Sequence, residues 1–100
     1  MVIRMFLSAV SEADLDALIA MFKEDVIPAF TSAPGCLGIE LIRAQTAGVG
    51  GLIEGGVIIR WDSPASMESA LADPAIIRSQ ERVRALLRRE PLRKVYEVIS

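Results

Sequence analysis

The stretch that decides the fold passes from a strand into a helix, and it comprises Val57-Ile58-Ile59-Arg60-Trp61-Asp62-Ser63-Pro64. The β-branched residues at its beginning predict a strand from Val57 to Asp62. Ser63 followed by Pro64 is a typical helix start, because a serine hydroxyl can cap the first turn and proline fits the first helical position. This junction therefore connects a strand to the helix that follows it.

Upstream of the junction, the sequence predicts a first strand and a first helix. Val2 to Val10 is rich in β-forming residues, and Ser11 with Asp14 gives a helix start signal. The helix is expected to run to about Phe30, with Pro28 kinking or weakening its last turn. An apolar stripe at helical spacing supports this helix. Its members are Leu15, Leu18, Ile19, Phe22 and Val26.

The remaining elements follow from turn and cap signals. A second strand is predicted from Leu37 to Ala44, and the glycines between residues 48 and 56 predict a flexible connection to the third strand. That segment lacks the Gly-Lys-Ser/Thr ending of a phosphate-binding loop and opens no helix, which argues against nucleotide binding. Asp73-Pro74 repeats the cap signal, so the second helix should break near Asp73 and then continue to about Arg89. Leu92 to Ile99 is the last predicted strand.

This order, β-α-β-β-α-β, predicts a ferredoxin-like α+β fold with an antiparallel four-stranded sheet, built by residues 1–100 as one domain. The helices can cover only one face of such a sheet. Strict alternation along the strands predicts which residues lie beneath them: Ile3, Met5, Leu7, Ile39, Leu41, Val57, Ile59, Trp61, Tyr96 and Val98.

The opposite face of the sheet is too apolar to remain in water. The same alternation assigns to it the apolar residues Val2, Phe6, Ile42, Ile58 and Ile99 and the charged residues Arg4, Glu40, Arg60 and Glu97. A second copy packed sheet against sheet would bury this face and let the mixed charges pair. The sequence therefore predicts a homodimer.

Composition excludes several classes of function. The net charge of -2 gives no reason to expect nucleic acid as a partner. Cys36 is the only cysteine and histidine is absent, so an internal disulfide, the usual zinc sites and a Cys-His catalytic pair are excluded. No apolar run is long enough to cross a bilayer, which predicts no membrane partner. The N-terminal segment is interpreted as a strand of a cytoplasmic protein rather than a signal peptide.

Four short motifs resemble one known family in their order and spacing. They are Ala33-Pro34-Gly35-Cys36-Leu37-Gly38, Arg60-Trp61-Asp62-Ser63, Leu71-Ala72-Asp73-Pro74 and Val95-Tyr96-Glu97-Val98. The chain resembles an antibiotic biosynthesis monooxygenase domain over nearly its full length. The resemblance implies a dimeric α+β barrel, and a shared fold of this kind hosts many chemistries.

Two branches of that family imply different site residues. In the branch that oxidises anthrone-like aromatics without a cofactor, the tryptophan corresponds to Trp61, while asparagine, tyrosine and arginine positions correspond to Val57, Met67 and Gln80. In the haem-degrading branch, the asparagine, tryptophan and histidine-ligand positions fall near Phe6, Ala70 and Gln80. Because the chain has no histidine, the resemblance disfavours haem degradation.

The predicted pocket beneath the helices has five candidate substrate-binding residues, which are Trp61, Gln80, Tyr96, Val57 and Met67. Gln80 falls within the apolar stripe formed by Ile76, Val83 and Leu87, so its amide either reaches a cavity or a water or leans out to solvent. Trp61 and Tyr96 are either core residues or pocket walls.

Two functions are compatible with such a pocket. The first is a cofactor-independent monooxygenase acting on a small phenolic or quinol-like aromatic, with no metal and with only Tyr96, Arg43 and Gln80 available near the cavity to assist the proton step. No catalytic residue is assigned. The second is a non-catalytic dimeric protein that binds a small hydrophobic molecule, which is favoured by the apolar residues at Val57 and Met67.

Overall fold

The computed structural model describes residues 1–100 and contains one antiparallel four-stranded sheet in the order β2-β3-β1-β4. Its strands are β1 (Val2–Ser11), β2 (Cys36–Arg43), β3 (Leu52–Trp61) and β4 (Leu92–Glu97). The helical elements are a 3₁₀ turn (Glu12–Asp14), α1 (Leu15–Met21), a π-helical turn (Phe22–Val26), α2 (Ile27–Thr31), α3 (Pro64–Leu71) and α4 (Pro74–Arg84), with a further 3₁₀ turn at Val49–Gly51. The predicted ferredoxin-like α+β fold is confirmed.

The first predicted helix is a succession of helical segments, because Pro28 interrupts its hydrogen bonding. Pro28 has no backbone N–H and cannot donate to the carbonyl one turn earlier. The chain accommodates this with the π-helical turn Phe22–Val26, immediately before α2. The predicted apolar stripe still faces inward, since Leu18, Phe22 and Val26 are buried.

The third strand is longer than predicted. It begins at Leu52, so Gly55 and Gly56 lie inside the sheet rather than in a flexible connection. A Cβ atom at Gly55 would lie 2.5 Å from the carbonyl oxygen of Ile42, and one at Gly56 would collide with the carbonyl oxygen of Phe6. These glycines are therefore explained by the close approach of neighbouring strands.

The second helical region breaks where its sequence predicts. Ser63 caps α3 by accepting a hydrogen bond from the backbone N–H of Ser66, and Asp73 caps α4 through that of Ala75. However, α4 ends at Arg84, before the expected position near Arg89, in turns with shorter-range hydrogen bonds. The chain then returns to the sheet, where Arg88 donates a 2.8 Å hydrogen bond to the carbonyl of Ala9.

The junction between β3 and α3 packs against the turn that precedes β2. Gly35 has φ of 86°, a conformation that favours glycine, and its carbonyl accepts a 2.9 Å hydrogen bond from the backbone of Asp62. A Cβ at Gly35 would lie 2.6 Å from Oδ1 of Asp62 and would also meet the side chain of Ser66. The turn and the helix start thus fit together because Gly35 has no side chain.

The face assignment predicted for β1 is wrong. Val2 pairs with Trp61, Arg4 with Ile59 and Phe6 with Val57, so the even-numbered residues of the first part of β1 lie beneath the helices. The predicted residues Ile3, Met5 and Leu7 lie on the opposite face. Both faces of β1 carry apolar side chains, so alternation alone does not determine its orientation, and the pairing with β3 does.

The error in β1 extends to β4, which pairs with it. Tyr96 lies opposite Ile3 and Glu97 opposite Val2, so Tyr96 is on the face away from the helices and Glu97 is on the helix side. Ile99 and Val98 follow the end of β4 and therefore belong to neither strand face. The assignments in β2 and β3 are confirmed, with Ile39 and Ile59 paired beneath the helices.

The sheet face opposite the helices, which we call the uncovered face, is largely apolar. Its residues follow from the strand registers and are Ile3, Met5, Leu7, Ile42, Ile58, Leu92 and Tyr96, together with Glu40, Arg60 and Lys94. Arg60 and Glu40 form an ion pair across it. None of the helices combines the length and apolar content required to span a bilayer.

Candidate functional site

A cavity of about 290 Å³ lies between α1 and one end of the sheet. Of its 19 lining residues, 13 are hydrophobic. They are Phe6, Ser8, Ala9, Val10, Leu15, Leu18, Ile19, Phe22, Lys23, Leu41, Ile42, Arg43, Ile53, Glu54, Gly55, Gly56, Val57, Val83 and Leu87. An apolar cavity of about 150 Å³ can hold one benzene ring, so this one has room for a ligand of two or three fused rings. We call it the large cavity.

Local sequence explains why the large cavity exists. Gly55, on the helix side of β3, lines it without a side chain, and Ser8, its partner on β1, is small. The opposite wall is the apolar stripe of the first helix, including Leu15 and Leu18. Small residues therefore face a full hydrophobic stripe, and the space between them stays open.

The polar residues of the large cavity include two cations and one carboxylate. Lys23 and Arg43 line it, and neither belongs to an ion pair of the structure. Glu54 is the only carboxylate among its lining residues and pairs with Arg89 at 2.8 Å. The Oγ of Ser8 donates a 2.8 Å hydrogen bond to the carbonyl of Arg89, which secures this wall.

A second cavity of about 30 Å³ adjoins the large one, and we call it the small cavity. The two share part of their lining, namely Phe6, Phe22, Val57 and Val83. The polar residues of the small cavity are Arg4 and Gln80. Gln80 is half-buried on α4 and lines the small cavity.

Arg4 is a charged residue in an apolar environment. It is 7% exposed and forms no ion pair in the structure. Burial lowers the pKa of the Arg4 guanidinium from its usual value, and the positive charge of Arg93 lowers this pKa further. Arginine remains charged in proteins. Arg93 itself lies over the ring of Phe6, with its guanidinium carbon 5.4 Å from the ring centroid.

Trp61 is a core residue and lines neither cavity. It is 0% exposed and meets the ring of Phe30 edge-on at a centroid distance of 6.2 Å. Its indole Nε1 has no hydrogen-bond partner. Met67 is also buried in the core and lines neither cavity.

The structure thus separates the five candidate residues. Val57 lines both cavities and Gln80 lines the small one, while Trp61 and Met67 belong to the core. Tyr96 is 46% exposed on the uncovered face, away from the cavities, because β4 follows the register of β1.

Arg4, Lys23 and Glu54 line the cavities but are not among the cavity residues predicted from the sequence. Arg4 stands out in the sequence because it is a charged residue within an apolar strand. The face predicted for β1 was wrong, however, and this put Arg4 on the side away from the helices. Arg43, expected near the cavity, does line it.

Solved structures share this fold at low sequence identity. No protein-family profile matches the chain, and no curated protein does. An antibiotic biosynthesis monooxygenase structure matches with a TM-score of 0.78 at 16% identity over 100% of both chains. Rv0793 from Mycobacterium tuberculosis matches with a TM-score of 0.76 at 18% identity over 99% of this chain and 95% of that one.

A third solved structure with this fold is an oxygenase. SnoaB from Streptomyces nogalater, a cofactor-independent oxygenase solved as a variant, matches with a TM-score of 0.77 at 17% identity. The match covers 99% of this chain and 93% of SnoaB. The resemblance found in the sequence is confirmed at the level of architecture: this chain has the fold of solved antibiotic biosynthesis monooxygenases.

Proposed function

We propose that the protein is a cofactor-independent monooxygenase of the antibiotic biosynthesis monooxygenase family that oxidises a small phenolic or quinol-like aromatic. The observation that carries the proposal is the large cavity, which is apolar, sized for a few fused rings and bordered by Lys23, Arg43 and Glu54. The fold shared with SnoaB, itself a cofactor-independent oxygenase, supports this kind of reaction.

The reaction needs no group beyond substrate, oxygen and protein. A phenol and one molecule of O₂ give a quinone and one molecule of water, with a ring C–H bond replaced by C=O. One oxygen atom enters the ring, the other leaves as water, and the substrate supplies all the electrons that reduce O₂. Removal of the phenolic proton makes the ring a better electron donor, so a site needs a proton acceptor and positive charge near the resulting oxyanion.

Glu54 is the residue that we propose as the proton acceptor. It is the only carboxylate lining either cavity and lies at the rim, where its side chain is 57% exposed and its ion pair with Arg89 fixes one of its oxygens. Lys23 and Arg43 supply positive charge at the same cavity. The apolar stripe of the first helix covers one side of the ring and limits its contact with water, which favours reaction with O₂.

Oxygen uptake tests this proposal directly. Purified protein, free of metal and flavin, is mixed with a panel of naphthols, anthrones and hydroquinones, and consumption of O₂ is recorded with an electrode. We expect uptake above the buffer rate with at least one phenol, a quinone product, and a loss of about a hundredfold in Glu54→Gln. Glu68→Gln is the matched control because Glu68 is exposed on α3. Absence of uptake with every compound would refute the enzyme proposal.

A non-catalytic binding protein is the second candidate. The observation in its favour is that Trp61 and Met67 lie in the core, so the site lacks the residues that the oxidising branch would supply there. Ligand binding in the large cavity without oxygen uptake would support this alternative.

We also propose that the protein is a homodimer joined through its uncovered face. Tyr96 and Leu92 are 46% and 52% exposed there on the edge strand β4, and Ile42 and Ile58 lie on the same face toward the other edge of the sheet. An apolar sheet face of this kind marks an interface. Sedimentation should show a dimer at micromolar concentration and a monomer for Ile58→Asp. Ile77→Asp is the control, because Ile77 is an exposed isoleucine on α4. A monomeric wild-type protein would contradict this.

A further inference from the structure

The small cavity contains a positive charge that nothing in the chain neutralises. Arg4 is 7% exposed, yet the ion pairs and the hydrogen bonds donated by arginine side chains involve only Arg60, Arg82, Arg84 and Arg89. Buried charges in proteins are normally paired, because an isolated charge away from water is strongly unfavourable. An unpaired buried arginine beside a cavity therefore indicates an anion that is supplied from outside the chain.

The neighbours of Arg4 strengthen this preference for an anion. Arg93 lies over the ring of Phe6 and is close enough to lower the pKa of Arg4, so a second positive charge acts on the same region. No carboxylate lines the small cavity. Gln80 lines it and carries an amide group that can donate hydrogen bonds to an oxygen.

The position of the small cavity links the anion to the aromatic ligand. It shares Phe6, Phe22, Val57 and Val83 with the large cavity, so the two spaces are adjacent. Its volume of about 30 Å³ suits an oxygen substituent rather than a ring. A ring in the large cavity could therefore direct one oxygen group toward Arg4.

We propose that Arg4, supported by Gln80 and Arg93, binds the oxyanion group of an aromatic ligand whose ring occupies the large cavity. The ligand class is thus an aryl oxyanion, either a phenolate or an aryl carboxylate. This inference rests on the proposed function for the position of the ring, and it assigns the protein a substrate that binds in its ionised form.

The test compares probes that differ in charge but share one ring system, at pH 7 and without O₂, by isothermal titration calorimetry. The probes are 2-naphthoate, neutral 2-naphthamide and the phenolate of 2,4-dinitro-1-naphthol. Wild-type protein should bind an anionic probe at least tenfold more tightly than the amide, as charge-assisted hydrogen bonds allow. The two anionic probes distinguish a carboxylate from a phenolate preference.

Variants of Arg4 identify the residue responsible. Arg4→Met should lose about tenfold or more in affinity for the anionic probe while keeping its affinity for the amide, and Arg4→Lys should retain part of the preference. Arg78→Met is the matched control, because Arg78 is exposed on α4 and belongs to no ion pair. Gln80→Leu, expected to lose a few-fold, provides a second test if Arg4→Met does not fold.

Two results would overturn the proposal. One is wild-type protein that binds the amide as tightly as both anions, which would also be the outcome if a second copy's carboxylate already neutralised Arg4. The other is an Arg4→Met protein whose preference for the anion is unchanged. Neither result depends on turnover, so an enzyme that consumes oxygen normally could still fail this test, and the reverse also holds.

Discussion

The layer between sheet and helices is packed tightly at one end and left open at the other. At the closed end, defined by Trp61, Phe30 and Val2, the indole is fully buried and the rings meet edge-on. At the open end, defined by Gly55, Gly56 and α1, the large cavity of about 290 Å³ separates the layers. Side-chain volume therefore determines where the layers separate, and Trp61, the only tryptophan, lines neither cavity.

The difference between the ends also concerns polar groups. The closed end contains one unsatisfied donor, Nε1 of Trp61, and Trp61 lines neither the large nor the small cavity. The open end combines empty space with Glu54, Lys23 and Arg43, and it adjoins the buried charge of Arg4. A buried polar group without a partner indicates a ligand site when it lines a cavity. Elsewhere it only reduces stability.

The largest expected effect is the loss of stability on removing the Trp61 side chain from the closed end. Trp61→Ala should lower the free energy of unfolding by about 3–5 kcal/mol, because it creates a cavity in a filled core. Leu15→Ala at the open end should cost less than about 2 kcal/mol, since its side chain already borders empty space. Urea denaturation of both variants measures the difference. Equal losses would show that the two ends are not packed differently.

A smaller effect is expected from filling the open end. Val57→Phe adds a ring at a residue that lines both cavities, so it should weaken binding of 2-naphthoate at least tenfold, about 1.4 kcal/mol. Its effect on the free energy of unfolding should stay within about 1–3 kcal/mol, the range for added core volume. Calorimetric titration measures the affinity. Val49→Phe is the matched control, because Val49 is 92% exposed and lies outside both cavities. Undiminished binding by Val57→Phe would place the ligand elsewhere.

The sequence predicts the helices better than the strands, and for a physical reason. The stripe from Leu15 to Val26 leaves only one helical face apolar, so its orientation follows from the residues. In β1 both faces are apolar, and only the pairing of Val2 with Trp61 determines which side is covered. Tyr96 was predicted on the wrong face because β4 pairs with β1, so the error in the face of β1 carries over to β4.

The cavity itself could not be predicted in the same way. A void depends on where side chains are missing, and Gly55 and Gly56 gave the signal of a flexible connection rather than of a strand beside open space. Val57 follows from the orientation of β3, which was predicted correctly, whereas for Gln80 the sequence left open whether its amide reaches a cavity or leans out to solvent. Arg4 could have been predicted at the cavity only if β1 had been assigned its correct face.

A still smaller effect is expected from changing the chemistry of the closed end without emptying it. Trp61→Phe removes a buried N–H that has no partner, which offsets part of the lost packing. The free energy of unfolding should therefore change by less than about 1 kcal/mol. Oxygen uptake and probe affinity should match those of the wild type, because Trp61 lines neither cavity. A selective loss of activity in a stably folded Trp61→Phe protein would mean that Trp61 does belong to the reaction site.

The smallest predicted effect concerns the exposed junction beside the closed end. A hydrogen bond from the Ser66 side chain lowers the pKa of Asp62 from its usual value, and hydrogen bonds from Ser63 add to this. Because the pKa is lower in the folded protein, the carboxylate contributes stability above roughly pH 4, its unfolded pKa, and loses it as the pH falls through the folded pKa. Asp62→Asn should thus be slightly less stable than the wild type at pH 7.

In acid, the wild type and Asp62→Asn should become equally stable, since the Asp62 carboxyl is then protonated in both folded and unfolded chains. Denaturant midpoints at pH 7 and in progressively more acidic buffers measure this convergence, with Asp73→Asn as a comparison because Asp73 caps the neighbouring helix α4. The effect must be small, because Asp62 is fully exposed and solvent screens its interactions. A difference that persisted in acid would mean that Asp62 stabilises the junction by its fit against Gly35, whose missing Cβ makes room for it, rather than by its charge.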